Sequence, residues 1–112
     1  MATPLPGKRV RGSRSGRPIM ALLDLLGRRW ALRILWELRD GKPRNFRDLG
    51  ERCDRVSPTV QNARLAELRN ACIVAHTSNG GYRLTAEGMR LVANLEPLYG
   101  WAEGWSKRLK RH

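Results

Sequence analysis

The chain has 112 residues, with 22 lysines and arginines against 10 acids and a formal net charge of +12. That length suits one domain with a single core, and that charge calls for a polyanionic partner, nucleic acid first and an anionic membrane surface second. No run of about 18 apolar residues exists to span a bilayer, and two cysteines are too few for the disulfide framework of a secreted domain, so a cytoplasmic protein at the nucleoid is expected.

The charge is concentrated at the two ends. Lys8, Arg9, Arg11, Arg14 and Arg17 precede the first acid, and Lys107, Arg108, Lys110 and Arg111 close the chain, so these nine residues account for most of the net charge. Residues 1–16 are rich in Gly, Pro, Ser and Arg, which bury too little surface to fold, and are expected to form a basic flexible arm. The apolar run "IMALLDLL" that follows could mimic a secretion signal, but Asp24 interrupts it and an amphipathic segment continues at once.

Residues 19–26 read as a short helix broken at Gly27, and "RRWALRILWELR" over 28–39 as a second helix, apolar on most sides and therefore in the core. Asp40, Gly41 and Pro43 stop it. Asn45 then caps a third helix, with Asp48 in its first turn and Phe46, Leu49 and Cys53 on one face. After a short turn at 54–56, Ser57 followed by Pro58 starts a fourth helix: serine accepts from the free amides and proline gives up only a donor that had no partner. Helical spacing puts Val60, Leu65, Leu68 and Cys72 on its inner side and Thr59, Asn62, Ala66 and Arg69 on its outer side.

"IVAHT", "SNGG" and "YRLT" read as strand, turn and strand, a short hairpin. Thr85 caps the last helix, with Glu87 in its first turn. Along that helix Leu91, Leu95, Leu98, Ala102, Trp105 and Leu109 recur at alternating spacings of four and three, a seam that requires a partner helix. Pro97 is expected to interrupt it and begin a new segment. The fold class is mainly α with a small β-hairpin wing.

With these residues in this order, the chain resembles the HxlR-type winged helix-turn-helix regulators, which are related to the MarR group. The resemblance rests on "RPIMALLDLLGRRWALRILWEL", "FRDL", "SPTVQNARLAEL", "YRLTAEG" and the spaced Leu91, Leu95, Leu98 and Trp101. It implies a winged helix-turn-helix DNA-binding domain over 17–85 and a C-terminal dimerisation helix with a basic tail over 86–112. It also implies a homodimer on double-stranded operator DNA and leaves room for a small-molecule effector. Three departures stand out: Arg17-Pro18 replaces the usual Cys-Pro, Gln61 replaces a frequent leucine, and the wing is short.

Phosphate attraction sets affinity and salt dependence without reading sequence, whereas base edges need matched neutral donors and acceptors. Ser57, Pro58, Thr59, Gln61, Asn62, Arg64, Arg69 and Arg83 are therefore the expected DNA-binding set, with Ser57, Thr59 and Asn62 at bases, Pro58 close to the backbone, Arg69 at a phosphate, Gln61 and Arg64 nearer the core edge and Arg83 as a wing contact. Leu91, Leu95, Leu98, Trp101, Trp105 and Leu109 are expected at a dimer seam, and Trp30 and Trp36 in the core; an aromatic ligand cage is the other reading of the tryptophans.

Cys53, Cys72 and His76 lack a zinc spacing, so both cysteines are expected to be buried thiols, with no metal and no cofactor. The acids are scattered and no phosphate loop or nucleophile-base pair is present, so no enzymatic activity is expected. A nonspecific architectural nucleic-acid binder and a winged-helix protein-interaction module remain as competing functions.

Overall fold

The computed structural model describes residues 2–111. In chain order the elements are α1 (Pro18–Leu26), α2 (Ala31–Glu37), β1 (Arg44–Asn45), α3 (Phe46–Arg52), α4 (Pro58–Asn70), β2 (Val74–His76), β3 (Gly81–Leu84) and α5 (Ala86–Lys110). The sheet is antiparallel with strand order β1-β3-β2. The core gathers Leu25 and Leu26 of α1, Ile34 and Leu35 of α2, Leu49 of α3, Leu65 and Leu68 of α4, and Val92 of α5. A winged helix-turn-helix is thus assembled on one small core, mainly α as the apolar periodicity predicts.

Five local expectations are corrected. The second helix begins at Ala31 and not at 28, because Arg28–Trp30 form a link in which Trp30 is left-handed, with φ 74°. Tertiary bonds hold that link: Arg28 pairs with Glu67, and Arg64 Nε donates to the Arg29 carbonyl at 2.8 Å. The hairpin gains a third strand, since Arg44 and Asn45 pair with Tyr82 and Gly81; a strand of two residues carries no detectable alternation.

Pro97 does not break α5, which runs unbroken through it. Proline removes one helical bond and leaves the Ala93 carbonyl without its donor, and both Ala93 and Pro97 lie on an exposed stretch where water can take that role.

Cys72 is exposed and not buried. The chain leaves α4 by a Schellman turn in which Cys72 N donates to Arg69 O and Ile73 N to Leu68 O, each at 2.9 Å. Cys72 takes the left-handed position at φ 61°, usually glycine's, and the turn swings Ile73 inward in its place.

The arm expected to be flexible is laid against the body. Gly7 N donates to Gly16 O at 2.9 Å, Val10 bridges to Ser13, and Pro4 and Val10 are buried. Asn70 donates to Thr3 Oγ1 at 3.0 Å, and Arg28 to the Ala2 carbonyl at 3.3 Å. The two buried side chains give the segment an apolar anchor that its overall composition conceals.

Candidate nucleic-acid interface

The helix-turn-helix is built from capped ends. Asn45 Oδ1 accepts from Asp48 N at 2.7 Å to start α3, and Ser57 Oγ accepts from Val60 N at 3.2 Å to start α4. Between them, Asp54 and Arg55 both have positive φ, 54° and 59°. Arg33 of α2 braces this turn, donating to Asp54 at 2.9 Å, to the Arg52 carbonyl at 2.7 Å and to Glu37 at 3.1 Å. Its guanidinium pKa is raised, first by the Glu37 hydrogen bond and then, against some desolvation, by Asp54. The angle between the two helices is therefore held by a charged side chain behind them.

Ser57, Pro58, Thr59, Asn62, Ala63, Ala66, Arg69 and Asn70 are exposed along α4 and its cap. Small and neutral groups dominate this surface, and it presents no carboxylate, because the helix's one acid points elsewhere. Glu67 is 8% exposed and is held by Arg28 on one side and by Arg64 Nη1 at 2.6 Å on the other. Drawing that acid inward leaves the outer face free of the charge that would repel a phosphate backbone.

Gln61, expected among the DNA-contacting residues, is corrected to a core residue. It is 1% exposed, its Nε2 donates to the Phe46 carbonyl at 2.8 Å, and its Oε1 fills the space beside Gly50, 2.6 Å from where a Cβ there would stand. It locks α4 to α3, and glycine at 50 is what lets the amide in. Arg64 is likewise committed inward, to Glu67 and the Arg29 carbonyl.

Arg69 is exposed at the end of α4, and Arg83 is exposed on β3 opposite Ala75. The wing is short: Thr77 N donates to Gly81 O at 2.7 Å around a loop whose last residue, Gly80, has φ 80°.

On α5, Leu91 packs against the core and Leu95 is half-buried, but Leu98, Trp101, Trp105 and Leu109 are all about half exposed, from 47% to 57%. Trp101 and Trp105 stack on one another with ring centroids 5.4 Å apart. Trp30 packs on the core, while half-buried Trp36 meets Tyr99 of α5 edge-on at 4.6 Å with the Arg39 guanidinium over its ring.

Sequence reasoning missed Ala63 on the outer face and the Arg28–Glu67–Arg64 set behind it. The spacing of Arg64 and Glu67, three apart on a helix, is the signal that could have revealed half of that set. Among the described residues no three His, Cys, Asp or Glu side chains gather as a metal site, and no helix is long and apolar enough to cross a membrane.

Comparison with known proteins places this architecture. The family model described as HxlR-like helix-turn-helix matches residues 25–110. The solved structure of quinone-bound YodB from B. subtilis is 30% identical, with a TM-score of 0.70 over 77% of this chain and 94% of that one. A putative MarR-family transcriptional regulator from Enterococcus faecalis V583 is 26% identical, with a TM-score of 0.73 over 84% and 90%. A possible HxlR-family transcriptional factor from Thermoplasma volcanium GSS1 is also 26% identical, with a TM-score of 0.67 over 77% and 82%. No curated protein matches the chain.

Proposed function

The chain belongs to the HxlR-like helix-turn-helix family of DNA-binding transcriptional regulators, and from that premise we propose that it acts as a homodimer on a palindromic operator, reading bases with α4. In this reading Ser57, Thr59 and Asn62 face base edges, Pro58 lies close to the backbone, and Arg69 and Arg83 meet phosphates. Asn62 is the residue best suited to adenine, whose N6 and N7 an amide bridges in the major groove. The exposed leucine and tryptophan ridge of α5 joins two copies, setting their reading helices about 34–36 Å apart to meet successive major grooves.

The single observation that carries this reading is the exposed face of α4, which is small and neutral apart from Arg69 near its end, while its acid is drawn inward by two arginines. A nonspecific binder has no need of such a face. A small-molecule effector belongs to the same reading: a quinone is bound in the similar YodB structure. Arg17 stands where the family usually has cysteine, so a thiol at that position is not part of the proposal.

The test is selection of duplexes from a random pool, followed by competition with Asn62→Ala. The variant is expected to lose about 1–3 kcal/mol of discrimination at one position of each half-site, with its salt dependence unchanged. Equal binding of enriched and shuffled duplexes by the unaltered protein would remove the reading.

A further inference from the structure

A basic depression lies beside α4 at Arg64, between the N-terminal arm and the α1–α2 link. It has a volume of about 420 Å³ and is lined by Arg11, Asp24, Gly27, Arg28, Arg29 and Arg64. Four of those six residues are cationic. Two of them, Arg28 and Arg64, are engaged with Glu67, and Asp24 accepts from the Arg11 backbone amide at 3.2 Å. Arg11 and Arg29 are the exposed pair. Each reaches the depression by a different route, Arg11 on the arm and Arg29 on the link between α1 and α2.

Both routes are tied to α4. Arg64 fastens the link by donating to the Arg29 carbonyl, and Asn70, itself on the exposed face of the helix, fastens the arm by donating to Thr3. The arm is a closed loop as well: Gly7 bonds to Gly16, and Gly16 sits at φ 73° with the Lys8 backbone so close that no Cβ fits there. Lys8, Arg9, Arg11 and Arg14 are exposed on that loop. A cation held in place loses less freedom on meeting a phosphate than one on a loose tail.

We infer that Arg11 and Arg29, positioned by the closed arm and the α1–α2 link, form a preset contact for the phosphodiester backbone along the flank of α4. This rests on the DNA-reading role proposed above and adds to it: the arm is a fixed edge of the interface, and its partner is the sugar-phosphate strand beside the groove that α4 enters. Base preference stays with α4, because guanidinium contacts to phosphate carry no sequence information.

The experiment measures affinity for the enriched duplex, and for a shuffled one, across a series of salt concentrations. Arg11→Gln with Arg29→Gln removes two contacts per protomer and four per dimer, so the plot of log affinity against log salt should become shallower by about 3–4, at about 0.9 per contact. The ratio between enriched and shuffled duplexes should hold. Lys107→Gln with Lys110→Gln, an equal loss of charge at the far end of α5, should leave the slope near that of the unaltered protein; equal flattening by both pairs would mean that only total charge matters and would overturn the proposal. Gly16→Ala keeps every charge but opens the loop, and should weaken binding by about threefold or more; undiminished affinity would also overturn it. If the unaltered protein shows no preference between duplexes yet the slopes still separate, the regulator reading fails while the phosphate contact stands.

Discussion

Glu67 shows how a single side chain shapes a surface it does not belong to. Two guanidiniums hold it below the outer face of α4: Arg28 belongs to the α1–α2 link, and Arg64 ties that link down through the Arg29 carbonyl. The two cysteines differ as sharply at this scale. Burial, assisted by the charge of Glu37, pushes the Cys53 thiol up to about 11 from an ordinary 9.0, whereas Cys72 is exposed. Thiolate is the reactive form, so at pH 8 one thiol per folded chain should react promptly with a disulfide reagent and the second only on unfolding. Cys72→Ser should abolish the prompt reaction; a fast thiol persisting in that variant would contradict the assignment.

The linkage has a definite sign. A pKa raised in the folded state contributes stability below the unfolded value that is lost as pH rises through the folded one. The Cys53 contribution should therefore fade between pH 9.0 and about 11, and Cys53→Ala, whatever its cost in packing, should show a flatter stability profile across that window.

Among the elements, α5 carries the clearest internal conflict. Pro97 lies inside a continuous helix, where proline costs about 3 kcal/mol relative to alanine, partly offset by the stiffness it lends the unfolded chain. Pro97→Ala is expected to raise stability by about 1–2 kcal/mol, read as a higher urea midpoint with a gain in helical circular dichroism. An unchanged or lower midpoint would show that the proline fits this helix at no cost. The helix-turn-helix elements show the opposite condition, with sequence and structure agreeing locally: Asn45 and Ser57 cap their helices where they were expected to. Cap chemistry acts over three residues and needs nothing from the rest of the fold. The unforeseen β1 is the converse case, since Arg44 and Asn45 become strand only because β3 lies beside them.

For the whole molecule the outstanding feature is the outer half of α5. A helix of 25 residues extends about 37 Å, and its later turns leave Leu98, Trp101, Trp105 and Leu109 each about half exposed. Large aromatic side chains at the middle of an interface carry much of its energy, so Trp101→Ala with Trp105→Ala is expected to shift the proposed dimer toward monomer by tenfold or more, about 1.4 kcal/mol at the least. Light scattering over a concentration series would read the shift, and far-ultraviolet circular dichroism would confirm that the fold is retained. A sample already monomeric before substitution would remove the dimer from the proposal.

The amino-acid sequence by itself determined the order of helices, the hairpin, the capped helix-turn-helix and the amphipathic seam, because each is written in short-range features: periodicity, caps and turn residues. It also carried the neutral character of α4's outer surface, since Thr59, Asn62 and Ala66 lie on one helical face whatever surrounds them. Only the tertiary structure decided that Gln61 turns inward to the Phe46 carbonyl, that Cys72 turns outward, that Glu67 is shared by Arg28 and Arg64, and that the arm closes against α4. Each of those outcomes depends on a partner distant in sequence or on the path by which the backbone leaves a helix. Burial and pairing of a polar group are settled by what stands opposite it in the folded chain, which a helical wheel does not contain.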